Sequence, residues 1–294
     1  ITNIVPREDL ASAFSLQSIA SNTGAIVGPA VSGLIIALLG IKWVYWINAV
    51  TFLAVIAALV MMGKVEREVE GSIQDRPKHA WKKLDFGGIR VGIKFILSQP
   101  VILSSMILDF FATFFSSANS LLPFVAQDIL HVGAIGYGWL SAAQSIGSVG
   151  VGVFLAQKAR VQNQGRLLLQ GVTLFGIATI IFGLSRNFAL TFAALVLIGA
   201  GDAFSTILRN TIRQLKTPDA LRGRMISINQ LFFAGGPRLG EVESGIVAQL
   251  FSAPVAIITG GIGCLISIVA VAARWPQLGR YSGDEVKPLE AAAK

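Results

Sequence analysis

The sequence predicts an all-α membrane protein of about eight crossings, arranged as two parallel pseudo-repeats, and three observations predict it. Of its 294 residues, 53% are hydrophobic and 14% charged, against about 25% charged in ordinary soluble domains. The apolar residues fall in runs of bilayer length, with lysine and arginine concentrated in alternate gaps between them. A shift of 212 residues also lays one of these runs on another.

A crossing takes about 17–25 largely apolar residues. Runs of that kind lie near 11–39, 42–62, 101–127, 137–157, 167–185, 188–210, 225–250 and 253–274. The connections from Gly40 to Ile41, Ser185 to Asn187 and Phe251 to Ser252 are so short that the helices they join are antiparallel neighbours. With strict alternation, one set of connections collects 21 Lys and Arg, from Arg7 to Lys294, and the other only Lys42 and Arg186. Cationic loops stay inside, so the rich side and the C-terminus are expected in the cytoplasm. The net charge of +8 sits in these gaps and not on a soluble basic face, which argues against nucleic acid as a partner. Cys264 alone allows no intrachain disulfide, and with the isolated His79 and His131 it offers no metal-ligand spacing.

The gap from 63 to 100 is the one sizeable loop. Glu66-Arg67-Glu68, Arg76-Pro77-Lys78 and Lys82-Lys83 read as a solvated linker. Leu84 to Gln99 then sets Ile89, Ile93 and Ile96 with Arg90 and Lys94 at helical spacing, which fits an amphipathic helix on the cytoplasmic surface. A polar linker containing one helix fits equally well. The resulting division is 1–62 as the end of a first half-bundle, 63–100 as linker, 101–274 as a second half-bundle and 275–294 as a cytoplasmic tail.

In the repeat, Pro6 falls on Pro218, Ser15 on Ser227, Gln17 on Asn229, Gly24 on Gly236, Gly28 on Gly240, Ser32 on Ser244 and Gly33 on Gly245. Both copies run loop then helix in the same direction, so the halves are parallel. The spacing within the second half puts the start of the first about 110 residues before Ile1, which predicts a fragment of a twelve-helix parent of about 400 residues.

A charged side chain on a membrane helix faces the bundle interior, a partner or an aqueous cavity. Asp109 and Asp202 fall about eight residues inside the cytoplasmic ends of their runs, hence about 12 Å deep, where they can share a cavity and carry protons. Alternatively, Asp202 pairs with Arg209 seven residues on, and Asp109, beside Phe110 and Phe111, stays protonated. Gly235-Gly236-Pro237 is expected to break the helical hydrogen-bond ladder near the middle of its run. Arg238, Glu241 and Glu243 follow it. Arg238 and Glu241 have the spacing of a local ion pair; with loosened backbone the three also suit a proton or substrate site between the halves. Glu241 falls on Pro29 in the repeat. Arg209, Asp219, Arg222 and Arg224 suit a cytoplasmic gate that latches helix ends, and the cations suit plain topology determination as well.

Three segments, Gly24 to Gly33, Thr217 to Met225 and Leu121 to Pro123, together resemble the major facilitator superfamily, within it the efflux branch that includes the enterobactin exporter and related secretion transporters. Gly24-Ala-Ile-Val-Gly28-Pro29-Ala-Val-Ser-Gly33 is similar to the antiporter motif of the fifth helix. Thr217-Pro218-Asp219-Ala-Leu-Arg222-Gly223-Arg224-Met225 is similar to the signature between helices ten and eleven, and Leu121-Leu122-Pro123 to part of helix seven. The resemblance implies a major facilitator fold with helices five to twelve present. It further implies a monomeric, proton-coupled exporter of a small amphiphilic molecule, drug or siderophore-like, working by alternating access in the bacterial inner membrane. The lipid bilayer and the substrate are its partners, and no cofactor beyond the proton gradient is implied. Gly24, Gly28, Pro29 and Gly33 carry the antiporter-like packing. Proton-coupled uptake and a non-transporting receptor remain as alternatives. No Walker loop, nucleophile elbow or intramembrane histidine cluster points to an enzyme.

Overall fold

The computed structural model describes residues 10–61, 86–115, 120–157 and 161–283, with the side chains of all of these except 10–20, 22, 59, 86–89, 219, 220, 222, 232 and 233. The described chain is helical throughout: α1 (Leu10–Leu39), α2 (Ile41–Met61), α3 (Phe86–Ser98), α4 (Pro100–Phe115), α5 (Leu122–Phe124), a π-turn at Val125–Ile129, α6 (Ala134–Ala156), α7 (Gln164–Leu184), α8 (Phe188–Lys216), α9 (Asp219–Leu250), α10 (Ala253–Arg274) and α11 (Pro276–Arg280). Each of the eight predicted runs contains a helix. Among the described residues α2, α6, α7, α8 and α10 are long and apolar enough to cross a bilayer alone. The apolar part of α1 with described side chains, 23–39, is shorter. α9 is long enough, at 32 residues or about 48 Å, but is not apolar enough along its length to join the five. The linker clusters at 66–68, 76–78 and 82–83 lie outside the described residues.

Two runs depart from expectation. The run predicted at 101–127 is described in two parts, α4 up to Phe115 and, beyond residues 116–119, a 3-10 turn leading into α5, where Pro123 sits in the first turn and needs no amide donor. The π-turn then closes with Leu130 N–H donating to the Val125 carbonyl at 2.9 Å. α8 runs six residues beyond the predicted end at 210, to Lys216. The amphipathic helix does form, as α3, and turns 101° into α4 across Gln99.

The repeat is visible in the element boundaries. Moved by 212 residues, α1 and α2 would occupy 222–251 and 253–273, and α9 and α10 occupy Asp219–Leu250 and Ala253–Arg274. Chain reversals are capped locally: the Asn187 side-chain oxygen accepts the Ala189 amide at 2.9 Å and the Leu190 amide at 3.4 Å, closing the first turn of α8.

Lipid tails give apolar helices no hydrophobic reason to associate, so close contact falls to small residues. Gly147 of α6 lies against the backbone of Val196 and Ala200 in α8, and Gly199 of α8 lies against Gln144 of α6. Gly171 and Gly201 bring α7 to α8, and Gly176 and Gly261 bring α7 to α10. Gly33 and Gly138 do the same for α1 and α6. Around these seams Leu140, Leu168, Leu195 and Ile257 are fully buried. The α4–α9 contact adds to a glycine approach at Gly236 a patch of side chains, in which Ile102 and Met106 pack with Met225, Ile228 and the Ile96 of α3. By contrast α2 leaves Trp46, Leu53 and Val60 more than 60% exposed, a surface suited to lipid or a protein neighbour.

Candidate functional site

Of the expected site residues, the structure brings Asp109, Asp202 and Arg209 together and keeps Arg238, Glu241 and Glu243 apart from them. The gathering element is α8. Asp202, Thr206, Arg209 and Arg213 recur at intervals of three and four and share one face of that helix. The face meets Asp109 of α4. Arg209 Nη2 lies 3.0 Å from Asp109 Oδ1, and Arg213 Nη2 lies 3.0 Å from Oδ2 of the same carboxylate. Arg213 also donates through Nη1 to the Asn229 side-chain oxygen, which brings α9 into the cluster. Asp109, Arg209 and Arg213 are each only 2% exposed.

One buried carboxylate between two guanidinium groups carries a surplus positive charge, and an uncompensated buried charge is costly. The nearest balancing group is Asp202, 3.9 Å from Arg209 Nη2. Thr206 strengthens the link: Arg209 Nη2 donates to its hydroxyl at 2.7 Å, and that hydroxyl donates to Asp202 Oδ1 at 3.5 Å. Unlike the other three charges, the Asp202 side chain is 51% exposed. The cluster therefore forms a chain of polar contacts from an open carboxylate midway along α8 to a buried centre shared by α4 and α9. It is not fully satisfied. The Nε–H groups of Arg209 and Arg213 are buried without an acceptor among the described residues, and Asp109 Oδ1 meets Arg209 as a charge pair outside hydrogen-bond alignment. Each buried group left without a partner is a cost to this arrangement, which a rearrangement that supplies the partner would recover.

Several expectations are corrected by this geometry. Arg209 and Arg213 are not cations of a cytoplasmic connection but buried residues inside α8. The extra turns of α8 put Asp202 at the middle of that helix, farther from the helix end than a span ending at 210 implies. The pairing of Asp202 with Arg209 exists, but it is the longer of the two contacts that Arg209 makes with carboxylates. α9 stays helical through Gly235-Gly236-Pro237, although Pro237 has no amide to give the hydrogen-bond ladder there. Gly236 instead gives α4 room: a Cβ there would meet the Thr113 hydroxyl at 2.5 Å.

Arg238 and Glu241 do pair, Nη1 to Oε2 at 3.4 Å, on a face of α9 turned away from the described helices, with side chains 81% and 44% exposed. Glu243 is half-buried nearby. In the gate set, Arg224 is exposed near the start of α9, and the side chains of Asp219 and Arg222 lie outside the described residues. The antiporter-like motif divides in two. Pro29 and Gly33 press on Gly138 of α6, whereas Gly24 and Gly28 touch nothing and open into a groove of about 660 Å³ between α1 and α2, bordered by Val27, Tyr45 and Asn48.

Sequence reasoning did not select Thr206, Arg213 or Asn229. Two signals pointed to the last two: the Arg209/Arg213 spacing of one turn, and the amide that recurs as Gln17 and Asn229 in the two repeats. The family model of transmembrane secretion effectors matches residues 1–288. Similar curated proteins include the enterobactin exporter EntS of Shigella boydii serotype 18 (strain CDC 3083-94 / BS512), 27% identical over 265 residues. Enterobactin exporters of Escherichia coli O1:K1 / APEC and of O45:K1 (strain S88 / ExPEC) are each 26% identical over 265 residues. These matches cover 90% of this chain and 61% of each relative, so the chain spans about three-fifths of their length. With apolar helices of bilayer length, a parallel repeat and a family match over almost every residue, the chain belongs to the transmembrane secretion effector family of the major facilitator superfamily.

Proposed function

We propose that this chain is the larger part of a secondary active exporter that moves a small amphiphilic molecule out of the cell in exchange for protons, by rocking two half-bundles about a central site. The observation that carries this reading is the chain of contacts from exposed Asp202 through Thr206 and Arg209 to buried Asp109. A carboxylate on a membrane helix that is open while its cationic neighbours are sealed is accessible to protons and electrostatically linked to the interior. Protonating it removes the charge that balances the two arginines, so Asp109, Arg213 and Asn229 are drawn into a new arrangement that shifts α4 and α9 together. Such a link between proton occupancy and helix position is what exchange requires.

The division into half-bundles at 1–62 and 101–274, with a cytoplasmic linker and C-terminus, is part of the proposal. So is the role of Arg238, Glu241 and Glu243. In hydrocarbon the exposed Arg238–Glu241 pair needs a protein or aqueous surface opposite it, and the facing half-bundle is the natural one. The similarity to enterobactin exporters supports a substrate of siderophore-like or drug-like character. A monomer suffices for this mechanism.

The deciding experiment is substrate flux in proteoliposomes holding the full-length parent, with an imposed pH gradient of either sign. Export should follow the proton gradient and reverse with it, and Asp202→Asn should retain substrate binding while losing the response to pH. Flux indifferent to the gradient, or an Asp202→Asn protein that still responds in full, overturns proton exchange through this residue.

A further inference from the structure

We propose that the outward face of α3 is a docking site for an anionic phospholipid of the cytoplasmic leaflet, an interaction independent of the substrate and of proton coupling. The position of α3 comes first. α4 begins right after Gln99, and the chain has to reach the start of α6 on the opposite side before returning along α6. A helix turned 101° from α4 at its cytoplasmic end therefore lies along the membrane surface.

Its faces divide accordingly. The inner face is tied to the bundle: Ile96 is buried among Ile102, Met106, Met225 and Ile228, and a Cβ on Gly92 would meet Ile228 and the Cβ of Arg224. The outer face carries Arg90 and Lys94, one turn apart and aligned, with Ile93 and Leu97 along one border and Val91 along the other. Ile93, Val91 and Leu97 are 44%, 47% and 62% exposed. Together these five residues line an open groove of about 560 Å³. The helix has no acidic residue, and neither cation forms an ion pair among the described residues.

Water alone suits this surface poorly, because it wets the cations and not the aliphatic borders. A phospholipid satisfies both. Its phosphate sits between the Arg90 and Lys94 head groups, and the upper acyl chain lies on Ile93 and Leu97, while the stems of both cations reach along the apolar surface. Two cations without a counter-charge among the described residues select an anionic lipid over a zwitterionic one. Since the opposite face of α3 rests on Met225 and Ile228, an occupied groove holds α3 against the start of α9.

The test uses the chain purified in an uncharged detergent, with thermal unfolding followed while phosphatidylglycerol, phosphatidylcholine or inorganic phosphate is added. Phosphatidylglycerol should raise the melting temperature, and the other two should not. Arg90→Gln with Lys94→Gln should require on the order of 30-fold more phosphatidylglycerol for the same shift, from roughly fivefold per cation. Arg90→Lys with Lys94→Arg should behave as the parent. Should the Gln variant fold poorly, the unmodified chain still decides: 0.5 M salt should suppress the phosphatidylglycerol shift, as for an exposed electrostatic contact. An undiminished shift in the Gln variant, a shift insensitive to salt, or an equal response to phosphatidylcholine or to phosphate overturns the proposal.

Discussion

Asp109→Asn removes one negative charge and little volume from a centre where two arginines approach one carboxylate at 3.0 Å each. Breaking a buried ion pair by deleting one partner costs about 3–5 kcal/mol, because the other charge stays desolvated. Here two guanidinium groups lose their common partner, while Asp202 at 3.9 Å still serves Arg209. The lower end of the range, about 3 kcal/mol, is therefore appropriate. For a chain of this size that corresponds to a fall in melting temperature of about 6–12 °C. The assay is thermal unfolding in detergent of the parent, Asp109→Asn, Arg213→Gln and the double variant. Removing Arg213 along with the Asp109 charge restores the balance of the cluster, so the double variant should be more stable than the sum of the singles by at least about 1 kcal/mol. An Asp109→Asn protein that melts within about 2 °C of the parent, or strictly additive singles, refutes the shared-carboxylate account.

Gly33→Leu should destabilise the α1–α6 contact by about 1–3 kcal/mol, since its Cβ would meet the backbone of Ala134 and Gly138, whereas Gly24→Ala has open space and should leave the melting temperature unchanged. Single cysteines at Lys42 and Arg224, made in a Cys264→Ser background, should react with an impermeant maleimide from opposite sides of the membrane; labelling from one side refutes the alternating topology. Arg238→Gln with Glu241→Gln should change stability in detergent by less than about 1 kcal/mol, as for other exposed pairs, yet abolish flux in the full-length parent. Unchanged flux would remove this pair from the mechanism.

The helices were legible because bilayer crossing imposes length and apolarity on each segment separately, and both are local properties of sequence. The same locality explains the miss at the end of α8. Hydropathy charges Arg213, Gln214 and Lys216, coming right after Arg209 and Asn210, the full cost of leaving water and so stops the helix at 210. In the fold, Asp109, distant in sequence, takes up both arginines and the helix continues to Lys216. Asp109 and Asp202 stood out because a lone carboxylate in an apolar run is anomalous in any environment. Asn229 did not, since an amide becomes a site residue only through what it faces. Glycine carries a similar ambiguity. Gly24, Gly28 and Gly33 look alike in the motif, but only Gly33 presses on another backbone, and that distinction belongs to α6 and not to the motif.

The glycine seams also determine where this molecule can flex. Where backbones of α6, α7, α8 and α10 touch through Gly147, Gly199, Gly201 and Gly261, no intervening side chain can change rotamer to absorb a displacement, so sliding would require prying the helices apart. These four helices behave as one stiff block. The α4–α9 boundary includes the unbranched, adaptable Met106 and Met225 beside an incompletely bonded polar centre. Of the two kinds of contact, that boundary has side chains able to change rotamer and so to take up a displacement, as a hinge does beside a rigid frame.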